Sequence, residues 1–317
     1  MQNALPEAAV ERFRGDLQKL VPDNDARLGI AVSGGPDSLA LLLLCNATRP
    51  GLCHAATVDH QLRAESAREA MFVSDICKRL GVPHATLTPD APISGSIQQA
   101  ARTERYALLE RWADEKDLTA ILTAHHADDQ AETLLMRLNR GAGIGGMSGV
   151  RSTNGRIVRP LLGWRRTNLA DIVRIVGLEP VLDPSNEDDR FDRARMRKAI
   201  ASADWLDPVA MARSAAALSE SDAALGWMTD RVFAERTRKS GESLLLCDPL
   251  SLPAEVQRRV LIRCINALDA DWRVNGPDLQ RLAQKLQSGT KASIGRLAVT
   301  VTPDSWVFSP APPRRKF

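Results

Sequence analysis

The sequence has few aromatic residues and no long apolar run. Aromatic side chains make up 4% of the 317 residues, with a single tyrosine, which argues against a protein that reads RNA mainly by stacking bases on aromatic platforms. The longest apolar run, Leu39–Cys45, is far shorter than the roughly 20 residues of a membrane-spanning helix. The first residues include the acids Glu7 and Glu11 and lack the apolar stretch of a signal peptide. We therefore expect a cytoplasmic protein without a membrane segment.

Cysteines are also scarce. Five are present, and no two of them form a C-x-x-C pair, so the sequence suggests neither a zinc ribbon nor an iron–sulfur site. Buried, reduced thiols of a cytoplasmic protein are the simpler interpretation.

The net charge is only +3, which by itself is too small to indicate a nucleic-acid partner. The charge is unevenly distributed, however. Residues 1–136 carry a net charge of −6, whereas residues 137–174 carry eight arginines, no lysine and one acid, a net charge of +7. Because the planar guanidinium suits bidentate contact with phosphate, this arginine block is a candidate phosphate-binding surface. The alternative is a solvated basic face.

The N-terminal part of the sequence alternates short apolar strands with amphipathic helices. The pattern predicts the strands Leu28–Val32, Cys53–Val58, His84–Leu87 and Thr119–Thr123 and the helices Asp37–Cys45, Glu65–Leu80, Ser96–Trp112 and Asp129–Leu138. Such alternation is typical of βαβ units. It predicts an α/β fold with a Rossmann-like parallel sheet, in which ligands bind beyond the carboxyl ends of the strands.

The C-terminal part is predicted to be mostly helical. Residues 141–163 are glycine-rich and irregular, residues 190–236 have helical character, and a proline interrupts them at Leu206–Pro208. Beyond that point we predict helices near 208–236, 253–269 and 277–287 and a β-hairpin over Ser293–Val301 and Ser305–Phe308. The length favours two domains, which we predict at residues 1–205 and 206–317.

The strongest motif is the segment Ser33-Gly34-Gly35-Pro36-Asp37-Ser38, between the first predicted strand and helix. Two glycines allow a tight turn whose backbone N–H groups, with the serine hydroxyls, can cradle an anion at the helix N-terminus. Asp37 would repel a phosphate there unless a bridging Mg²⁺ lay between them. The segment is not a Walker A loop, because no Gly-Lys-Ser/Thr follows; a plain helix N-cap is the alternative. It resembles the PP-loop of the N-type ATP pyrophosphatases.

Further segments narrow this resemblance to one family. They follow predicted strand ends or lie in predicted helices: Val58–Arg63, Gln99–Tyr106, Thr123–Thr133, Arg159–Leu162, Asp183–Asn186 and Arg193–Arg197. Over residues 27–200 the sequence resembles the tRNA(Ile)-lysidine synthetases. Members of that family often have Asn at the second position of the last segment, where this chain has Ala194.

The resemblance implies a tRNA-modifying ligase. In that family ATP adenylates the carbonyl oxygen at position 2 of the wobble cytidine of the tRNA-Ile with a CAU anticodon, with release of pyrophosphate. The ε-amine of free L-lysine then displaces AMP to give lysidine. The resemblance further implies ATP and Mg²⁺ as cofactors, and residues 206–317 as a tRNA-recognition domain in a short form without the last C-terminal domain. A smaller tRNA-binding surface or a homodimer would then supply tRNA discrimination.

The resemblance also implies roles for individual residues. It implies ATP binding by Ser33–Ser38 with Asp59 and His60, contact of Asp37 with Mg²⁺, and lysine binding by Asp129 and Glu132. The implied catalytic residues are Asp37, Arg105, Asp129, Glu132 and Arg197. The candidate tRNA-binding residues are Arg137, Arg140, Arg151, Arg159, Arg165 and Arg166.

Other interpretations stay open at this point. Acids at positions 129 and 132 also suit a capping box and the helix dipole. The pair His125-His126 suggests a metal, although neighbours on a helix do not face one site, so nucleotide-site or structural roles are preferred. A tRNA thiolase with the same ATP chemistry would carry a sulfur-handling cysteine motif, which this sequence lacks. A non-catalytic ATP- or RNA-binding module would not need these carboxylates and arginines together.

Overall fold

The structure is a computed structural model that describes residues 4–61, 66–90, 97–181 and 192–311. The motif residues Leu62 and Arg63 and the segment Asp183–Asn186 lie outside the described residues. The chain forms two compact units, Met1–Ser219 (unit 1) and Glu220–Phe317 (unit 2). The domain boundary near Leu206 stays a prediction.

Unit 1 is built on a six-stranded sheet. Its strands are β1 (Leu28–Ala31), β2 (Cys53–Val58), β3 (His84–Leu87), β4 (Ala120–Leu122), β5 (Thr153–Asn154) and β6 (Ile157–Val158). They lie in the order β3-β2-β1-β4-β6-β5. All pairs are parallel except β5 with β6. The predicted Rossmann-like parallel sheet is therefore confirmed, and the carboxyl ends of β2, β1, β4 and β6 meet at one edge.

Within the described residues, nine α-helices begin in unit 1. They are α1 (Glu7–Leu20), α2 (Pro36–Thr48), α3 (Ser66–Leu80), α4 (Ile97–Glu115), α5 (Ala127–Leu138), α6 (Ile144–Met147), α7 (Arg166–Val176), α8 (Asp192–Ala201) and α9 (Pro208–Arg236). The predicted helices match α2 to α5 within a few residues at each end. The sequence reading did not predict α1 and α7, although both bury one apolar face, with Phe13 and Leu17 in α1 and Leu169 and Ile172 in α7.

Two apolar cores cover opposite faces of the sheet. Neighbouring strand residues point to opposite faces, and Leu122 packs into a core with α1, α2, α3 and α7, whereas Ile121 packs into a core with Leu109 and Trp112 of α4. α2 and α4 therefore lie on opposite faces of the sheet. The loop that precedes α2 and the N-terminal half of α4 itself can therefore reach the same carboxyl edge from two sides.

Unit 2 combines helices with an antiparallel sheet. Beyond α9 it contains β7 (Thr237–Ser240), β8 (Ser243–Cys247), α10 (Ala254–Leu268), α11 (Gly276–Gln287), β9 (Ala292–Ile294), β10 (Leu297–Thr302) and β11 (Ser305–Pro310). The strand order is β7-β8-β11-β10-β9. The predicted helices are present, and β10 and β11 form a hairpin, but the predicted strand Ser293–Val301 is divided into the antiparallel strands β9 and β10. β7 and β8 were not predicted; Thr237–Ser240 is wholly polar and mostly exposed. Trp306, Phe308 and Leu246 form the centre of the core.

Most of the cysteines are buried in the structure. All five cysteines are free thiols, and burial raises the pKa values of Cys53, Cys77 and Cys264 to about 12. Such thiols are poor nucleophiles, because the thiolate is the reactive form. Among the helices in the described ranges, none has both the length and the apolar character needed to cross a membrane.

Gly29 in β1 tests how tightly α4 packs on the sheet. A Cβ atom built there would lie 2.7 Å from a ring carbon of Trp112 and 2.9 Å from a methyl carbon of Leu118. We expect Gly29→Val to lower the free energy of unfolding by about 1–3 kcal/mol, the usual range for overpacking. Gly15→Ala, in the middle of α1 with open space around it, should instead raise it by ~0.5–1 kcal/mol. Urea denaturation measures both; equal midpoints for wild type and Gly29→Val would contradict this packing.

Candidate active site

The loop between β1 and α2 has the shape of an anion cradle. Gly34 has a φ of +86°, a left-handed conformation that glycine adopts without strain. Gly35 is the N-cap of α2, and Pro36 starts the helix. The Ser38 hydroxyl accepts the backbone N–H of Ser33 at 3.1 Å and donates to the Gly35 carbonyl at 3.0 Å. The loop is thus held open at the N-terminus of α2, where backbone N–H groups attract anions.

Val181 packs against this loop. The Val181 backbone N–H donates to the Gly34 carbonyl at 3.0 Å. A Cβ atom at position 34 would lie 3.3 Å from a methyl carbon of Val181 and 3.4 Å from one of Val73. Gly34 is therefore needed for its backbone angle, and Val181 leaves little room for a side chain there.

Asp37 lies in the first turn of α2 beside the cradle. One carboxylate oxygen, Oδ2, is 3.5 Å from Nε2 of His126. The other, Oδ1, is buried and makes no hydrogen bond within the described part of the chain. A buried carboxylate oxygen without a partner costs free energy, and it fits a divalent cation that is shared with phosphate oxygens, the usual arrangement for Mg²⁺.

His126 is surrounded by three carboxylates. Its ring nitrogens lie 3.5 Å from oxygens of Asp37, Asp128 and Asp129, and the side chain is 3% exposed. Burial alone would lower the pKa of His126, but the hydrogen bonds to Asp128 and Asp37 and the charge of Asp129 outweigh it and raise the pKa to about 10. The ring is therefore a buried imidazolium at neutral pH.

The two aspartates at the start of α5 have different partners. Asp129 caps α5 by accepting the backbone N–H of His126 at 3.1 Å, and its own N–H lies 3.4 Å from Nδ1 of His126. That long second contact needs a neutral ring, whereas the surrounding charges favour the protonated ring, with Nδ1 donating to Asp128. Three carboxylates within 3.5 Å hold the ring in its protonated form.

Asp128 connects this cluster to α7. It accepts the Arg166 backbone N–H at 2.8 Å and lies 3.3 Å from Nε of Arg165. Burial raises its pKa, but the His126 ring and the Arg166 N–H more than compensate and lower it to about 2. Asp128 is thus a permanently charged link between the start of α5 and the start of α7.

Glu132 faces α8 rather than the helix cap. It is 1% exposed, and its Oε1 accepts the Nε–H of Arg197 at 2.7 Å. Nε of Arg193 lies 3.7 Å from Oε2. Burial lowers the pKa of Arg197, but Glu132, Asp129 and Asp37 raise it overall. These groups therefore share one electrostatic environment, and the structure brings together four of the five predicted catalytic residues.

The fifth, Arg105, belongs to a second, positively charged group on α4. Its guanidinium carbon is 5.2 Å from the centre of the Tyr106 ring, as is that of Arg102. His125 is neutral there, because burial and the nearby Arg159, Arg105 and Arg102 lower its pKa to about 3. Burial and Arg105 also lower the pKa of His60.

The residues that follow β2 line the same edge. Asp59 is buried and accepts the backbone N–H of Gln61 at 2.8 Å, while its own N–H donates to the Leu87 carbonyl. His60 follows it with a buried Nδ1 that has no partner in the described ranges. The structure therefore places both predicted ATP-binding residues at the carboxyl edge beside β1.

The arginine block divides into internal and external side chains. Arg137 donates to the Gly149 carbonyl at 2.9 Å, and Arg159, 5% exposed, donates to the Arg151 carbonyl at 2.8 Å. Arg140 and Arg151 are exposed. Arg137 and Arg159 thus secure the glycine-rich segment after α5, which the sequence did not indicate.

Sequence reasoning missed two connections and left one question open. It did not single out Arg193 as a partner of Glu132 or Asp128 as a link to α7. In both cases the partners are far apart in the sequence, so no local residue pattern indicates the contact. Ala194, where relatives often have Asn, is buried in α8 between the two arginines. In the described residues no group of three or more His, Cys, Asp or Glu side chains has the arrangement of a metal site.

Comparison with known proteins agrees with this geometry. The family model of the PP-loop domain matches residues 9–203. The chain is 44% identical over 314 residues to the tRNA(Ile)-lysidine synthase of Novosphingobium aromaticivorans, covering 97% of this chain and 95% of that protein. It is 43% identical over 323 residues to that of Zymomonas mobilis, covering 98% and 96%.

A solved structure shares the fold at low identity. The U34-tRNA thiolase NcsA from Methanococcus maripaludis, solved with its [4Fe-4S] cluster, superposes with a TM-score of 0.56 and 14% identity, covering 68% of this chain and 80% of that chain. This similarity concerns the fold alone.

The buried imidazolium predicts a pH-dependent stability. Because the pKa of His126 is about 10 in the folded chain against 6.5 as the reference value, its stabilisation is fully present below pH 6.5 and is lost as the pH rises towards 10. Between these values the free energy of unfolding of wild type should fall more steeply than that of His126→Gln, by up to ~1.4 kcal/mol per pH unit. His54→Gln is the control, since burial and Arg27 lower the pKa of His54 and its ring is neutral in this range. Parallel curves for wild type and His126→Gln in urea titrations would contradict the imidazolium.

Proposed function

Since this chain belongs to the tRNA(Ile)-lysidine synthase family of PP-loop proteins, it is an ATP-dependent ligase that forms lysidine on tRNA-Ile, and we propose which residues perform each step. The observation that carries the proposal is the convergence of Asp37, Asp129, Glu132 and Arg197 next to an anion cradle. Phosphate, ammonium and a leaving group can all be bound within this one constellation.

ATP binds through its phosphates at the loop Ser33–Ser38. The N-terminus of α2 supplies backbone N–H groups and the positive end of a helix dipole. The free Oδ1 of Asp37 would hold Mg²⁺, which supplies charge neutralisation between this carboxylate and the phosphates. Asp59 and His60 lie at the adjacent strand end, where the nucleoside part of ATP is expected.

Adenylation requires stabilisation of the negative charge that develops at the α-phosphate. The cytidine carbonyl oxygen attacks phosphorus, and pyrophosphate leaves. Arg197 and Arg105 are the cations that flank the edge, and preorganised positive charge is most effective in such a partly buried site. Glu132 holds Arg197 through a 2.7 Å hydrogen bond, so the guanidinium needs little reorganisation during the reaction.

Lysine then attacks carbon 2 of the cytosine ring, and AMP leaves. The ε-ammonium, with a pKa near 10.4 in water, must lose a proton before it can attack. We propose that Asp129, which is partly exposed, binds this ammonium and accepts the proton. The sequence prediction that Glu132 also binds lysine requires Arg197 to leave Glu132 first, because both side chains are joined in the structure.

The tRNA is proposed to bind over the external arginines. Arg140, Arg151, Arg165 and Arg166 are the exposed or half-exposed members of the predicted set, and phosphate contacts of this kind give affinity without sequence information. Unit 2 is the proposed recognition domain. The cytoplasmic location also remains part of this proposal.

A thiolase reaction is the weaker alternative. It would need an accessible reactive cysteine, and four of the five cysteines are buried. The raised pKa values of Cys53, Cys77 and Cys264 keep these thiols protonated near neutral pH.

Two carboxylate variants test the proposed division of labour. In an assay with ATP, Mg²⁺, radiolabelled lysine and a CAU-anticodon tRNA-Ile transcript, wild type should incorporate lysine and Asp37→Asn should lose pyrophosphate release by on the order of 10²-fold or more. Asp129→Asn should raise the KM for lysine and spare adenylation, whereas Glu132→Gln should slow adenylation, since Arg197 loses its anchor. Spared adenylation with a raised lysine KM in Glu132→Gln would instead make Glu132 a direct lysine ligand.

The external arginines predict a salt-dependent interaction. We expect Arg140→Ala/Arg151→Ala to weaken tRNA binding and to reduce the slope of log affinity against log salt by about 2, one for each lost phosphate contact. Arg174→Ala is the control, because Arg174 is exposed and paired with a carboxylate, as Arg140 is, but does not belong to the predicted tRNA-binding set. An unchanged slope, measured by filter binding between 50 and 200 mM salt, would place the tRNA surface elsewhere.

A further inference from the structure

The positively charged group on α4 has donors without acceptors. The Tyr106 hydroxyl and Nε of Arg159 are both buried and make no well-aligned hydrogen bond within the described residues, although the two side chains lie close enough to interact. Arg159 is only 5% exposed. Buried donors are almost always satisfied, so two unsatisfied donors beside each other point to an acceptor that binds between them.

The surroundings of these donors are cationic. Arg102 and Arg105 lie over the Tyr106 ring, each 5.2 Å from its centre, and no carboxylate among the described residues forms an ion pair with Arg102, Arg105 or Arg159. Tyr106 itself has a lowered pKa: burial raises it, and Arg105, Arg102 and Arg159 more than reverse the effect. The missing acceptor is therefore an anion.

This group is separate from the cradle for the ATP phosphates. The cradle lies at the start of α2, and α2 and α4 pack on opposite faces of the sheet. Arg159 follows β6 and Tyr106 lies on α4, so their donors approach the carboxyl edge from the α4 face. A second phosphate can occupy this place while ATP occupies the cradle.

We propose that Tyr106, Arg159 and Arg102 bind a backbone phosphodiester of the tRNA, one of the two that flank the wobble cytidine. The inference rests on the proposed function. The Tyr106 hydroxyl, Nε of Arg159 and the Arg102 guanidinium hold one phosphate in a fixed position. The cytosine carbonyl is thereby brought to the same edge of the sheet as the ATP cradle. The site positions the substrate; it takes no part in bond making or breaking.

The test uses a CAU anticodon stem-loop in which either phosphate flanking the wobble cytidine is replaced by a neutral methylphosphonate. Binding to the full chain is measured without ATP. For wild type, one of the two replacements should weaken binding roughly tenfold, the loss expected for hydrogen bonds to a charged group. Tyr106→Phe and Arg159→Lys should bind the normal stem-loop with a similar loss, and the methylphosphonate should then add no further penalty.

Three comparisons make the outcome decisive. Arg111→Ala, on the same helix but paired with Asp90, should retain the wild-type penalty, and the KM for ATP should stay constant in Tyr106→Phe. A raised KM for ATP together with an unchanged methylphosphonate penalty would assign the site to an ATP phosphate and overturn the proposal. A full penalty in both Tyr106→Phe and Arg159→Lys would overturn it as well. Binding is measured without turnover. A wild type that binds the stem-loop but incorporates no lysine would therefore contradict the proposed function, and the binding data would still test the phosphate site.

Discussion

The imidazole ring of His126 lies among three carboxylates that belong to two helices, Asp37 on α2 and Asp128 and Asp129 on α5. Isolated buried carboxylates at these distances would repel one another, and one buried imidazolium compensates that repulsion. Through Asp128 the same cluster also reaches the first backbone N–H of α7. The position of the nucleotide loop relative to α5 and α7 therefore depends on a proton that stays on this ring.

Around this cluster the site divides into two halves that differ in the charge of their side chains. The half on α2, α5 and α8 contains the carboxylates, balanced by His126 and Arg197, and it suits an ammonium and a metal-bound phosphate. The half on α4 and after β6 contains arginines without carboxylate partners among the described residues. Because the two halves carry side chains of opposite charge, a cationic amino acid and an anionic RNA backbone can approach the same carbonyl group, each from the side with the complementary charge.

The sequence predicted what is encoded locally. The turn at Gly34 and the helix start at Pro36 are neighbours in sequence, so the cradle could be recognised from its residue types. β5 and β6 have two residues each and carry almost no pattern of their own; β6 forms because β4 offers backbone partners, and β5 forms because β6 does. The pair Glu132–Arg197 spans 65 residues, and no spacing rule links the two positions. The Asp-x-x-Glu pattern was ambiguous for a physical reason, since Asp129 caps the helix and also faces the site.

The unusual acidities of three side chains have a consequence for turnover. The pKa values of Asp128, His125 and His126 are about 2, 3 and 10, so none of these three changes charge across the range in which cells live. The pH dependence of the rate must then have its origin in other groups, and the incoming amine of lysine, with a pKa near 10.4 in water, is one of them. In this way the charges of the buried ring and of these two neighbours stay the same while the lysine amine gains or loses its proton.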